Sequence, residues 1–513
     1  MTGYNDYKFS QNPVGTMENR WADEEEIRKD LTHIRLSDPG PIPAGGMPVI
    51  SNGDDVWVDT SDAHSLVIGS TGSKKTRLYV RPCLEILRRA KESVVVTDPK
   101  GELYELSADA FRADGYEVRV LNLRDPDHSD CWNPLKLARD YYREGLKDKA
   151  AGVVSDFACG MIPDDPGRKI DPFWIQTSRA MHRGLCMMMV ENETYFPDRY
   201  VNLSMLQSLS MGMNEGTDCL GLDSSVGPVF EFVRKNYPEN SLARINLNSV
   251  VRGSEKTFGN ICASYDAAIS PIYIQHSLIE LLSCNTVDFR RMGERPSALF
   301  LVTPDEKKTL NMIVSLCVAQ LYQQLIDTAQ HSPGNTLPVR VNFLLDEFSN
   351  FPAIEDFDSM ISAGRSRNIR FHLVVQGLEQ MKNRYGAEVS QTIKANAQNW
   401  FFLNSREMEL LMEISQLCGS SRNEIPLISP VQLQRLRKER GESLTLLGRN
   451  YPFMARMPDI SAYWGDTERR KPSAYPVRDK SLFRYRDYKE IPGMIEGKNE
   501  DTKNLDWLED LLT

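Results

Sequence analysis

The residue types that bind phosphate occur together in the short segment GSTGSKKT, directly after the apolar run HSLVI. A phosphate-binding turn of the pattern G-x-x-x-x-G-K-[ST] supplies backbone N–H groups, a lysine for the outer phosphates and a hydroxyl for Mg²⁺. Such a turn lies between a strand and a helix, and the residue spacing on its two sides predicts these elements. The predicted phosphate-binding residues are Gly69, Ser70, Thr71, Gly72, Ser73, Lys74, Lys75 and Thr76.

One position of this turn departs from the pattern, because Lys74 stands where the second fixed glycine is expected. If the backbone there is helical, the substitution costs little, and the lysine points outward or adds charge near the phosphates. If the position needs a positive φ, a side chain costs on the order of 1–2 kcal/mol and could crowd the pocket. We expect nucleotide binding to survive, whereas hydrolysis depends on which conformation Lys74 adopts.

A pair of carboxylates follows another apolar run, in the segment VNFLLDEF. P-loop ATPases hold a Mg²⁺-associated aspartate, and a residue that activates or orients the attacking water, at the end of such a strand. Asp346 and Glu347 have the right types for these two roles, with Thr76 and Asp346 as the metal ligands. A solvated loop is the commoner meaning of Asp-Glu after a strand. The presence of a phosphate turn in the same chain favours a nucleotide site instead.

Two further polar residues stand at positions that suit a nucleotide site. Gln376 ends the apolar run FHLVVQ, where a side chain that senses the γ-phosphate is expected. Arg365 lies in SAGRSRN and is either a catalytic cation or a surface charge of a loop. We take Glu347, Arg365 and Gln376 as the candidate catalytic residues.

Composition limits the remaining classes of function. The chain has 513 residues, 41% of them hydrophobic, and a net charge of −10, which argues against a general electrostatic nucleic-acid binder. Its nine cysteines are scattered without a C-x-x-C pair, so reduced thiols are favoured over a zinc site.

No run approaches the roughly 20 apolar residues of a membrane span, and the N-terminus lacks a secretion signal. We therefore expect a cytoplasmic protein.

Strands and helices alternate in two stretches that are separated by a helical one. The apolar strands predict a parallel sheet covered on both faces, and the helical stretch predicts an insertion of roughly 150 residues. The predicted parts are an N-terminal arm at 1–45, an α/β domain at 46–139 and 290–465, an all-α insertion at 140–289 and a tail at 466–513. The acidic end of the tail is either a docking peptide or a solubilising segment.

Several runs between Trp21 and Trp464 resemble the TraG-type coupling proteins of type IV secretion and conjugation. Besides the phosphate turn they include RWADEEEI, VVVTDPKGELYE, WNPL, DPFW, LLDEFSNFP, GRSRNIRFHLVVQGLEQMKNRYG and NWFFLNS. The resemblance implies an α/β fold, a RecA-like P-loop nucleotide-binding domain with an inserted all-α domain. It also implies a hexameric ATPase and DNA translocase with ATP and Mg²⁺ as cofactors.

By motif, the resemblance assigns phosphate and Mg²⁺ to Lys75 and Thr76, and it makes Arg365 a finger that reaches a neighbouring subunit's nucleotide. The implied partners are transferred single-stranded DNA, a relaxase and the components of the secretion channel. Family members usually carry N-terminal transmembrane helices, and none is recognisable in this sequence. Membrane association, at the inner face of the cytoplasmic membrane, is therefore expected only through partners.

Three hypotheses follow. The first is a coupling ATPase that recruits a relaxase–DNA substrate and drives its transfer into the secretion channel during conjugation. The second is a non-hydrolysing adaptor that binds nucleotide and recruits cargo, an alternative that Lys74 favours. The third, an unrelated P-loop kinase or metabolic enzyme, lacks a second substrate-site motif.

Overall fold

The computed structural model describes residues 19–38, 40–163, 171–214, 227–251, 255–304, 310–421, 424–448, 450–463 and 470–495. The acidic end of the tail, for which the sequence left two roles open, lies outside these residues. Within the described ranges, no helix combines the length and the apolar character that crossing a bilayer requires.

The strands fall close to the apolar runs of the sequence. They are β1 (Thr32–Arg35), β2 (Met47–Ser51), β3 (Asp55–Asp59), β4 (Ser65–Gly69), β5 (Ser93–Asp98), β6 (Glu117–Asn122), β7 (Ser297–Val302), β8 (Val341–Leu345), β9 (Ile369–Val375), β10 (Asn399–Asn404), β11 (Glu442–Leu447) and β12 (Phe453–Arg456). Nine strands form one sheet in the order β12-β11-β10-β4-β9-β8-β5-β7-β6. The other three form a small antiparallel sheet in the order β1-β3-β2.

The centre of the large sheet is parallel, as predicted. Parallel pairing joins β10 to β4, β4 to β9, β9 to β8 and β8 to β5. These strands are buried along almost their whole length, which is why they are continuous apolar runs rather than alternating ones. Their carboxyl ends meet at one edge, where side chains that follow the strands come together.

Helices connect the strands and build the interrupted region. They are α1 (Glu24–Lys29), α2 (Arg81–Arg89), α3 (Glu102–Ala113), α4 (Lys136–Arg143), α5 (Lys147–Met161), α6 (Pro172–Glu191), α7 (Leu203–Asn214), α8 (Pro228–Asn236), α9 (Leu242–Val251), α10 (Glu255–Tyr273), α11 (His276–Leu281), α12 (Asn311–Gln330), α13 (Phe357–Gly364), α14 (Leu378–Asn396), α15 (Met408–Cys418), α16 (Pro430–Gln434) and α17 (Ile460–Tyr463). A π-helical turn, Thr76–Val80, precedes α2.

The chain divides into two compact units. The first comprises 1–118, 291–299 and 328–473, and the second comprises 119–290, 300–327 and 474–513. The second unit therefore takes most of α12 and the chain after 473, which the sequence-based boundaries had assigned to the α/β domain and the tail. Local contacts explain the place of α12, because Asp327 accepts hydrogen bonds from Tyr141 and from Lys149 Nζ, the latter at 2.8 Å. The domain boundaries themselves stay a prediction.

The small antiparallel sheet of the first unit was not predicted. The sequence analysis placed Thr32 in an N-terminal arm and predicted no strand there, whereas in the structure α1 ends at Lys29 and β1 begins at Thr32. The side chain of Trp57 in β3 lies under the guanidinium of Arg28, with 4.0 Å from the guanidinium carbon to the ring centroid. Short strands with exposed polar residues, such as β1, give little periodic signal, which explains the miss.

Candidate nucleotide site

The phosphate turn connects β4 to the π-helical turn, as the motif requires. Gly72 has a φ of +75°, a conformation that glycine adopts without steric cost. At Gly69 a Cβ would lie 2.4 Å from the Ser73 hydroxyl, so the turn closes tightly on itself. The ammonium of Lys75 lies inside this turn and donates a hydrogen bond of 2.6 Å to the Gly69 carbonyl.

Lys74 adopts the strained alternative of the two considered from the sequence. Its φ is +69°, in the left-handed region where a side chain costs about 1–2 kcal/mol. Its ammonium points to Asp459, 3.8 Å from a carboxylate oxygen. Arg77 donates to both oxygens of the same carboxylate, and this hydrogen bonding holds the pKa of Asp459 well below its usual range. The extra lysine is therefore tied to a carboxylate that follows β12.

The acidic pair meets the phosphate turn at the edge of the sheet. Asp346 directly follows β8, and its Oδ2 lies 3.4 Å from Thr76 Oγ1, which donates to it. Burial, reinforced by the charge of neighbouring Glu347, raises the pKa of Asp346 to about 6. Burial also lowers the pKa of Lys75, while both carboxylates oppose this shift. The lysine, the hydroxyl and the acids predicted from two distant segments thus share one site.

Glu347 and Gln376 are joined by a direct hydrogen bond. Gln376 Nε2 donates to Glu347 Oε2 at 2.7 Å. The Gln376 Oε1 accepts from the Thr71 hydroxyl at 3.1 Å. Glu347 itself has a φ of +55°, and its backbone N–H donates to Asp346 Oδ1 at 3.0 Å. A chain of polar contacts therefore runs from the phosphate turn through the glutamine to the acid at the end of β8.

Arg365 lies at the other edge of the sheet. It precedes β9 whereas Gln376 follows that strand, so the length of the strand, roughly 20 Å at 3.3 Å per residue, separates them. Its guanidinium forms two hydrogen bonds to Asp62, of 2.9 and 3.2 Å. The structure thus brings Glu347 and Gln376 to the phosphate turn of their own chain and leaves Arg365 apart from it.

Two polar residues of the site were not singled out from the sequence. Asp98 is the last residue of the apolar strand β5, whose Thr97 is paired with Leu345, the residue before Asp346. Its Oδ2 accepts from the backbone N–H of Tyr104 at 2.8 Å, and burial raises its pKa to about 7.

Asn404 ends β10 and accepts from the Ser70 hydroxyl at 2.8 Å. A polar residue at the end of each apolar strand was the sequence signal that could have identified both Asp98 and Asn404.

The donor set fits a hydrated Mg²⁺ ion next to a triphosphate. Mg²⁺ takes oxygen ligands, keeps several waters and is usually held by one or two carboxylates together with phosphates. Thr76 and Asp346 offer a hydroxyl and a buried carboxylate 3.4 Å apart. Within the described residues no group of three or more His, Cys, Asp or Glu side chains suits a metal. The oxygen pair therefore fits a metal that binds with nucleotide better than one held by protein ligands alone.

The central strand order and the phosphate turn after β4 define the RecA-like P-loop class of fold. The chain belongs to the family described as type IV secretory system conjugative DNA transfer proteins, whose model matches residues 15–448. This confirms the resemblance to TraG-type coupling proteins.

Individual relatives agree with this placement. Conjugal transfer protein TraG of Escherichia coli is 26% identical over 432 residues, which cover 78% of this chain and 64% of the relative. Protein VirD4 of Agrobacterium fabrum is 24% identical over 373 residues, which cover 69% of this chain and 49% of the relative. The chain thus spans between half and two thirds of the length of these relatives.

Solved structures of a plasmid coupling protein, TrwB, share the fold. TrwB in complex with ADP and Mg²⁺ superimposes with a TM-score of 0.61 at 15% identity, covering 91% of this chain and 97% of that one. TrwB in complex with the non-hydrolysable ATP analogue ADPNP gives a TM-score of 0.59 at 14% identity, covering 92% and 99%. The predicted RecA-like fold is therefore confirmed.

Proposed function

We propose that this chain is a coupling ATPase that recruits a relaxase–DNA substrate and drives its transfer into a type IV secretion channel during conjugation. The observation that carries the proposal is the convergence of Lys75, Thr76, Asp346, Glu347 and Gln376 at one edge of the sheet. A chain with no nucleotide chemistry has no need of these five polar side chains at one edge of the sheet. Membership in the conjugative DNA transfer family supplies the cargo class.

The proposed roles follow from the geometry. Lys75 leaves the Gly69 carbonyl to bind the outer phosphates, and the backbone N–H groups of the turn bind the oxygens between them. Thr76 and Asp346 hold Mg²⁺, which supplies neutralisation of charge on the phosphates. Glu347 orients and deprotonates the attacking water. Gln376, bonded both to Glu347 and to Thr71, senses whether the terminal phosphate is present.

The position of Arg365 supports action on another subunit. A guanidinium that lies a full strand length from its own phosphate turn can reach a triphosphate only across a subunit boundary. Its bond to Asp62 is half exposed, and exposed ion pairs contribute little free energy, typically about 0–1 kcal/mol. Breaking the ion pair with Asp62 so that Arg365 can bind a neighbour's phosphate therefore costs little free energy. We propose a homohexamer, with transferred single-stranded DNA and relaxase as cargo and with membrane contact through channel components.

An ATPase assay with and without single-stranded DNA tests this function. We expect phosphate release that DNA stimulates and that Lys75→Ala abolishes. Absence of turnover with any DNA, unrestored by Lys74→Gly, would contradict the motor proposal.

The second candidate is a nucleotide-binding adaptor that does not hydrolyse. The left-handed backbone at Lys74 favours it, because a side chain replaces glycine at a strained point of the turn. The outward ion pair with Asp459 opposes it, since the lysine is directed away from the turn. Binding of a fluorescent ATP analogue without release of phosphate from ATP would support the adaptor.

A further inference from the structure

A polar cavity of about 650 Å³ opens beside the first half of the phosphate turn. Its lining includes Ser70, Thr71, Gln376, Asn404, Arg406 and Lys438. Its volume is that of a small-molecule site, which typically encloses about 300–1,000 Å³. Because Gln376 and Thr71 belong to the wall, the cavity lies on the side of the turn that faces the hydrolytic residues.

Lys438 reaches the turn itself. Its ammonium is the nearest heavy atom to the position that a Cβ on Gly72 would take, at 3.8 Å. The lysine belongs to the basic segment LQRLRKERG, whose charges the proposed function leaves unused. Gly441 fixes the end of this segment, because a Cβ there would lie 1.7 Å from the Met457 carbonyl oxygen. The chain bends at Gly441, which packs against Met457, and the Lys438 side chain lies next to the phosphate turn.

The acidic side chains around the cavity have partners, and the basic ones differ from them in this respect. Its two carboxylates have partners: Glu407 accepts from the backbone N–H groups of Leu378 and Glu379, each at 3.0 Å, and Glu379 lies 3.9 Å from Lys382. Among the described residues, by contrast, no carboxylate lies within ion-pair distance of Arg406 or Lys438. Two cations with no carboxylate partner among the described residues therefore face a polar cavity next to a phosphate turn, in a chain with a net charge of −10.

We propose that Arg406 and Lys438 form a second anion subsite, which binds the terminal phosphate of the nucleoside triphosphate. The inference rests on the proposed function, since it places the triphosphate on the turn at Gly69 to Thr76. It adds two cations from outside that turn and makes the site prefer a triphosphate to a diphosphate. An exposed cation about 4 Å from a phosphate oxygen changes affinity about fivefold.

Binding of fluorescent non-hydrolysable ATP and of fluorescent ADP, each with Mg²⁺, tests the subsite in the full chain. We expect Lys438→Gln and Arg406→Gln each to weaken binding of the ATP analogue about fivefold and that of ADP by less than a factor of about two. Lys438→Arg keeps the charge and retains affinity. The matched control is Arg435→Gln, an exposed arginine of the same segment that does not line the cavity.

Three results would overturn the subsite. They are an unchanged affinity of Lys438→Gln for the ATP analogue, an equal loss for ATP analogue and ADP, and an equal loss in Arg435→Gln. Each presupposes that the unmodified chain binds nucleotide. If the unmodified chain binds neither ligand, the nucleotide site itself is refuted, and the subsite with it. Thermal unfolding of every variant identifies a loss of affinity that reflects loss of structure.

Discussion

Thr76 Oγ1 lies 3.4 Å from Asp346 Oδ2, although 270 positions of the chain separate the two residues. The contact forms because β4 and β8 are parallel strands of one sheet, with β9 between them, and their carboxyl ends meet at one edge. A hydroxyl and a buried carboxylate at this distance are suited to share a hydrated divalent cation. This contact joins the two halves of the proposed site.

Glu347→Gln should separate binding from hydrolysis. The amide keeps the size of the side chain but cannot take a proton from water, so turnover should fall by about 10²–10⁴ while nucleotide affinity changes little. Phosphate release and fluorescent nucleotide binding measure the two effects. Asn350→Ala, which removes a neighbouring hydrogen bond to Glu347 and leaves its carboxylate in place, is the control and should keep most of the turnover. A comparable loss in both variants would contradict a direct role of Glu347.

Lys74→Gly should stabilise the protein. Glycine accepts a φ of +69° without the steric cost of a side chain, which is about 1–2 kcal/mol, and the exposed ion pair that it loses is worth less. Chemical denaturation measures the gain. Lys74→Ala, which removes the charge and keeps the strain, is the control and should show no gain. An equal gain in both variants would mean that charge, and not backbone strain, is the cause.

The sequence analysis identified the central parallel strands and both halves of the candidate site, because buried strands are apolar runs and the residues that follow them are polar. It could not decide the conformation of Lys74, since a lysine is compatible with either backbone. It also could not find the partner Asp459, because nothing local relates a residue after β12 to the turn after β4. Contacts between segments far apart in the chain depend on tertiary structure, which periodicity does not encode.

The same limit applies to Arg365 and to the anion subsite. The sequence places Arg365 before an apolar strand, and only the structure shows that the strand separates it from the phosphate turn. Lys438 belongs to a segment whose composition suits a solvated surface. The approach of Lys438 to Gly72 depends on the bend at Gly441, which the charge pattern of the segment does not predict.

Asp98 and Asp346 should make the nucleotide-free protein less stable as the pH rises. Burial raises their pKa values to about 7 and about 6, above the ordinary value near 3.8. The folded state therefore binds more protons than the unfolded one between these limits, and the free energy of unfolding falls with pH. The contribution of these two carboxyl groups to the free energy of unfolding is fully present below about pH 4, and it is lost as the pH rises through about 6–7.

Asp98→Asn measures this contribution. The amide is uncharged at every pH and its oxygen can still accept from Tyr104, so part of the fall in unfolding free energy between about pH 5 and about pH 8 should disappear. Asp109→Asn, at an exposed carboxylate of α3, is the control and should keep the fall. An unchanged pH profile in Asp98→Asn would show that Asp98 is charged in the folded protein.

Arg365→Ala should abolish turnover without affecting nucleotide binding. A finger of this kind contributes roughly 10³–10⁵ in rate, and the residue lies apart from the turn of its own chain. Mixing Arg365→Ala with Lys75→Ala chains should restore part of the activity, because some interfaces then combine an intact turn with an intact arginine. Arg367→Ala, two positions further along the chain than Arg365, is the control. Failure of the mixture to recover activity, with assembly intact, would contradict action on a neighbouring subunit.

The most direct measurement of the central claim is a double-mutant cycle on Thr76 and Asp346, read out as Mg²⁺-dependent binding of a fluorescent non-hydrolysable ATP analogue. If both residues hold the same metal beside the same triphosphate, Thr76→Ala and Asp346→Asn should be non-additive, with a coupling free energy of about 0.5–3 kcal/mol that vanishes without Mg²⁺. Strictly additive losses, or a coupling that is the same without Mg²⁺, would contradict the claim that the turn after β4 and the acids after β8 form one nucleotide site.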